Sequence, residues 1–122
     1  MIHHVQLASP PGTEAALRGF YTGVLGFDEI GKPPALVSRG GAWFRGTGYG
    51  GAPIEIHVGV EAGFAPARKA HPGLLVDDLD GVAARLAAAD YPVTWDDGFP
   101  GMRRFYSEDV HGNRLEFLTP AA

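Results

Sequence analysis

The chain contains no cysteine, which excludes disulfides, thiolate metal ligands, iron–sulfur clusters and a cysteine nucleophile together. Any metal has to be held by nitrogen and oxygen. No apolar run approaches the roughly 18 to 20 residues that cross a bilayer, and the opening MIHHVQLASPPG lacks a basic region followed by an apolar core, so a cytoplasmic location is expected. Basic clusters are also missing. Lys and Arg number 10 against 14 Asp and Glu, a net charge of −4, with no stretch that would track phosphates, and nucleic acid is disfavoured as a partner. No serine stands in a nucleophile-elbow context, which removes support for a serine triad.

Glycine and proline, by contrast, are abundant at 18 and 10 of 122 residues, without tripeptide periodicity. Many turns between short elements follow from that. With 45% hydrophobic and 20% charged residues, the chain has the composition of one globular core.

Ile2 to Ser9 reads as a strand with Val5 and Leu7 on one face and His4, Gln6 and Ala8 on the other. Pro10, Pro11 and Gly12 break it. Thr13 then stands as a cap before a helix carrying Ala16, Leu17, Phe20, Tyr21 and Val24 at helical spacing, ended by Gly26. Phe27–Ile30, Ala35–Ser38, Ala42–Arg45 and Ile54–Val60 are short strand candidates. After a stretch from Glu61 to Ala70 the order restarts: a strand over His71–Val76, a helix capped by Asp78 or Asp80 and stopped at Tyr91-Pro92, then strands over Val93–Trp95, Arg103–Ser107 and Arg114–Leu118. The chain reads as duplicated, with modules at 1–60 and 71–122 joined by a linker at 61–70. Each half is too small to bury its own sheet face, so the two sheets should combine into one incomplete barrel.

Strand alternation gives the duplication chemical content. His4, Glu55, His71 and Glu116 sit among apolar neighbours that must face the other way, so the four polar groups should share one concave face at equivalent places in the two halves. Uncompensated burial would cost several kcal/mol per charge, and a divalent cation resolves it. Two carboxylates and two neutral imidazoles form a charge-balanced N2O2 set suited to Ni, Co, Zn, Fe or Mn. His57 shares the face of Glu55 and is a rival for its place, whereas His3 should face away from His4 and His111 should lie in a turn. Gly46, Gly48 and Gly51 match the spacing of a dinucleotide fingerprint, but Ala52-Pro53 leads into a strand, not a helix; they read as a mobile loop beside the cleft. Trp43, Phe44, Trp95, Phe99, Phe105 and Tyr106 read as core or rim. Among Arg45, Arg68, Arg103 and Arg104, one or two could line the cleft and hold an anion.

The segments HHVQLA, GFYTGVLGF, HPGLLVDDLD and EDVHGNRLEF together resemble the vicinal oxygen chelate superfamily, the glyoxalase/bleomycin resistance/dioxygenase group, over nearly the whole chain. The resemblance implies an α+β fold of two βαβββ modules forming a U-shaped half-barrel cleft with a metal at its base, in a homodimer that takes a small-molecule substrate. His4, Glu55, His71 and Glu116 fall where bacterial glyoxalase I holds its metal. A glyoxalase I-like lyase or isomerase is then implied: substrate oxygens replace metal-bound water, an enediolate is stabilised, and a ligand carboxylate moves a proton between adjacent carbons. Glu116 is the expected base, Glu55 the next choice.

Other members set the alternatives. An extradiol dioxygenase would use two His and one Glu, against which Glu55 argues unless His57 or nothing takes its place. An antibiotic-modifying thiol transferase also uses three ligands. A binding module would resemble the bleomycin-sequestering members, which hold a cationic drug without metal in an acidic, aromatic-lined groove.

Overall fold

The computed structural model describes residues 1–122. In chain order the elements are β1 (Val5–Ser9), α1 (Glu14–Arg18), β2 (Asp28–Ile30), β3 (Ala42–Thr47), β4 (Pro53–Val60), β5 (Gly73–Leu75), α2 (Leu79–Ala88), β6 (Thr94–Asp96), β7 (Met102–Glu108) and β8 (Arg114–Pro120). They form two four-stranded sheets with matching orders, β1-β4-β3-β2 and β5-β8-β7-β6. In each, the first strand runs parallel to the last, and the other pairs are antiparallel. This is the expected α+β architecture, one βαβββ module written twice in one chain. No helix is long and apolar enough to cross a membrane.

Alternation sorts the sheets as the sequence requires. Phe44, Ile56 and Val58 from one sheet and Phe105, Leu115 and Phe117 from the other enter a single core with Leu17 of α1, Phe20 and Tyr21 just after it, and Leu79 and Leu86 of α2. Each such side chain contributes roughly 1.5–3 kcal/mol over its exposed state. Polar neighbours on the same strands are left on the opposite faces.

Local departures from the expected elements have identifiable causes. The first helix has only five α-helical residues and continues as a wider π-type coil over Gly19–Val24, with Leu25 N–H donating to the Phe20 carbonyl at 3.0 Å. Thr13 does not cap it; its hydroxyl donates back to the Pro10 carbonyl at 2.8 Å. Asp78 does cap α2, accepting from Gly81 N–H at 3.0 Å. Ala35–Ser38 is not a strand. Pro34 starts a 3₁₀ turn over Pro34–Arg39, and none of its apolar side chains is buried, so there is no core face to hold an extended run there.

The glycine-rich stretch is held, not loose. Gly46 lies on β3, where a Cβ would run into the Phe27 ring. Gly48 N–H donates to the Ala52 carbonyl at 2.6 Å, and Gly50 N–H donates to Asp77 Oδ1 at 3.1 Å, tying this turn to the second module.

Candidate functional site

The polar face of the first sheet carries a row of stacked rings. His57 on β4 lies flat against Trp43, its neighbour on β3, with centroids 3.7 Å apart, and against His4 on the other side at 3.8 Å. His57 Nε2–H donates to Glu55 Oε2 at 2.7 Å. Burial pushes the His57 imidazole below its ordinary value, outweighing the pull of Glu55, and so favours the neutral ring. Arg45 stands opposite Glu55 on β3 and grips Oε1 through Nη2 at 2.7 Å and Nε at 3.2 Å. Those bonds first, and that of His57 second, hold the Glu55 carboxyl down to about 2.

The second sheet carries a different pair. His71 Nδ1 faces the Lys69 carbonyl at 2.7 Å, and its Nε2 lies 2.9 Å from Glu116 Oε1. A carbonyl only accepts, so Nδ1 carries a proton. With Nε2–H also present the ring donates to both partners as an imidazolium; with Nε2 bare, two acceptors face each other and a cation would have to lie between them. Arg104 donates to Glu116 Oε2 at 3.3 Å and through Nε and Nη2 to Asp96 Oδ1. Its guanidinium also lies near the Tyr106 ring, which Arg114 covers at 4.0 Å.

The structure therefore gathers the four expected ligands two by two, His4 beside the Glu55–His57 pair and His71 with Glu116. No group of three or more His, Asp or Glu side chains able to hold a metal forms within the chain, so the expected meeting of all four at one point does not occur inside a single copy. One reason is register. β1 begins at Val5 opposite Ile56, which puts His4 next to Glu55, whereas Gly73 is the residue opposite Glu116 and His71 stands two positions earlier. The two histidines precede their strands and are offset by two residues, so they share a face without being equivalent. The expected strand ends at Ile2 and His71 shorten accordingly. His3, expected to face away, lies beside His4 with its Nδ1 3.8 Å from Glu55 Oε2, because the chain there is not extended strand. His57 joins Glu55 without replacing it.

The partners of the carboxylates, Arg45 and Arg104, were in the set of arginines that the sequence left open. A signal for one existed: the β3–β4 hairpin is centred on Gly50, and Arg45 and Glu55 stand five residues to either side of it.

Paired strand–helix–three-strand modules, each with an imidazole–carboxylate pair on its polar face, define the class of protein. The chain belongs to the Glyoxalase/Bleomycin resistance protein/Dioxygenase superfamily, which it matches over residues 2–117. Among solved structures it is similar to a glyoxalase family protein from Bacillus anthracis, with 41% identity over 99% of this chain and 95% of that one and a TM-score of 0.90. It shares its fold with TnmS3, an antibiotic binding protein from Streptomyces sp. CB03234, at 22% identity, 99% and 98% coverage and a TM-score of 0.70. The same holds for the oxidase ChaP-H2, at 21%, 99% and 94% coverage and 0.64. No curated protein sequence matches the chain.

Proposed function

We propose that the chain is a subunit of a metal-dependent, glyoxalase-type lyase or isomerase, in which the His4–Glu55 pair of one copy and the His71–Glu116 pair of a second close around one divalent ion. The observation that carries this reading is the orientation of His71. A metal-binding imidazole characteristically donates its other ring N–H to a carbonyl or carboxylate, and His71 does so to Lys69, which leaves Nε2 as a donor atom beside Glu116 Oε1. Each sheet offers half of a set: within one chain the residues do not complete a metal centre, while by donor chemistry the two halves together fit Ni, Co, Zn, Fe or Mn.

The ion supplies Lewis-acid polarisation of substrate oxygens. The remaining chemistry belongs to the side chains. Glu55, with both oxygens engaged and its basicity lowered by Arg45, anchors charge and is a poor proton acceptor. Glu116, held by His71 and by one long contact from Arg104, is the base that moves a proton between adjacent carbons of a small oxygenated substrate. Arg45 and Arg104, beside the two carboxylates, would act electrostatically on negative charge that develops on an enediolate.

One observation favours a second reading. Because both Glu55 oxygens are occupied, His4, His71 and Glu116 remain as two imidazoles and one carboxylate, the set of an iron-dependent ring-cleaving dioxygenase.

Elemental analysis of protein purified without added metal tests the proposal, together with assays of lactoylglutathione formation and of catechol cleavage. Stoichiometric divalent metal with isomerase or lyase turnover is the expected result. Iron with ring cleavage selects the second reading. Absence of stoichiometric metal in every oligomeric form, with drug binding unchanged by chelators, replaces both with a binding module.

A further inference from the structure

Above the Trp43–His57 row the floor of the first sheet is bare. On β4 the residue after His57 on the same face is Gly59, where a Cβ would collide with the Gln6 amide, and just before β3 Gly41 passes so close to the Val58 carbonyl that no side chain fits. A cavity of about 290 Å³ opens there, lined among others by Gln6, Lys32, Arg39, Trp43 and Gly59. Taking about 30 Å³ per water as a scale, it has room for roughly ten non-hydrogen atoms.

Two of its lining residues are cations outside any ion pair. Lys32 donates to the Gly40 carbonyl, and neither Lys32 nor Arg39 takes part in any of the eight ion pairs of the chain. The nearby carboxylate, Glu14, has its Oε1 3.8 Å from where a Cβ on Gly40 would stand and is not among the lining residues. Arg45 and Arg104, by contrast, are each paired with a carboxylate. Two cations outside any ion pair and the half-buried ring of Trp43 line the same small cavity, a combination suited to an anion attached to a flat body.

We propose that this cavity binds the carboxylate end of a planar organic acid, with the carboxylate between Lys32 and Arg39 and the flat body against Trp43. This names the substrate class of the site proposed above and rests on that reading for the reaction, not for the binding. Glu55 and Gly59 are four residues apart on β4, about 13 Å at strand rise. A substrate anchored at Lys32 and Arg39 therefore carries its reacting oxygens at the opposite end of the molecule, past the row of rings.

The two tryptophans, Trp43 and Trp95, give a direct test. In Trp95→Phe protein, Trp43 is the sole indole, and its fluorescence is titrated with benzoate and with benzamide, the neutral shape analogue. Saturable quenching by benzoate is expected, with benzamide binding at least fivefold more weakly. Lys32→Gln and Arg39→Gln should each weaken benzoate at least fivefold; Arg39 is exposed, so its variant folds. No saturable response to benzoate, equal binding of benzamide, or a smaller loss in either variant overturns the proposal. His71→Ala should abolish metal binding while leaving benzoate affinity within twofold, so a failure of the metal site and a failure of the subsite give different results.

Discussion

Tyr21 and Asp109, 88 positions apart, share a 2.7 Å hydrogen bond inside the core common to both sheets. Tyr21 is in the π-type coil after α1, and Asp109 opens the turn between β7 and β8, so this bond joins the two modules. Asp109 also accepts from the backbone N–H groups of His111 and Asn113 and from Asn113 Nδ2, which in turn donates to the Ala8 carbonyl. Four donors make a fully buried carboxylate tolerable. Burial first, and Asp109 second, push the Tyr21 phenol well above its ordinary value, so it stays a donor at any physiological pH.

Tyr21→Phe removes one of those donors without changing the volume of the ring. It should destabilise the fold by about 1.5–3 kcal/mol, the worth of a hydrogen bond to a charged group, with Asp109 Oδ2 keeping its bond from Asn113. Urea denaturation should show a lower midpoint with an unchanged slope. An unaltered midpoint would mean that the turn is held by Asn113 alone.

The duplicated sheet order was legible because alternation along strands such as Ile54–Val60 and Arg114–Leu118 is set by one buried face, which any reading of apolar spacing recovers. That Glu55 and His57 share a face was legible for the same reason, but not that they would bond to each other. What escaped was information that spacing does not hold. Whether His71 lies on β5 or ahead of it depends on Pro72, which has no N–H and so serves only as an acceptor, for Glu116 N–H. Whether two pairs form one centre depends on how two sheets are placed relative to each other, which is a property of the whole core and of further copies.

Acid should weaken the fold in two stages with opposite physical origins. His57 is lowered from an ordinary 6.5 by burial, so as pH falls below 6.5 the unfolded chain takes up a proton there that the folded chain resists. Glu55 is lowered from 4.5 to about 2 chiefly by Arg45, and its contribution, complete above 4.5, is lost as pH falls toward 2. Arg45→Gln should flatten the lower stage and leave the upper one. Denaturation midpoints measured from pH 3 to 8 check this, and an unchanged slope below pH 4.5 in the variant would remove Arg45 as the cause.

Gly46→Ala should act at a distance from the chemistry. The added Cβ meets the face of β3 where Phe27 packs, and Phe27 is 7% exposed with little room to withdraw. Overpacking of this kind costs about 1–3 kcal/mol. Pairing it with Phe27→Leu, which makes space, should recover part of that loss; a double variant no more stable than Gly46→Ala would show that the strain lies elsewhere.

The two carboxylates should separate in their effects on turnover and on ion binding. Glu116→Gln keeps the shape and the bond to Arg104 but removes the proton acceptor along with a charge at the ion, and at saturating ion a lost general base lowers kcat by about 10²–10⁴. Glu55→Gln leaves an amide oxygen for Arg45 to grip and removes a charge from the ion's surroundings, so divalent-ion affinity should fall while kcat at saturating ion changes by less than tenfold. Single-turnover rates and ion titrations on both variants separate these effects. If Glu55→Gln abolished turnover at saturating ion while Glu116→Gln retained it, the proton would move through Glu55 despite its lowered basicity, and Arg45 would have to release it during the reaction.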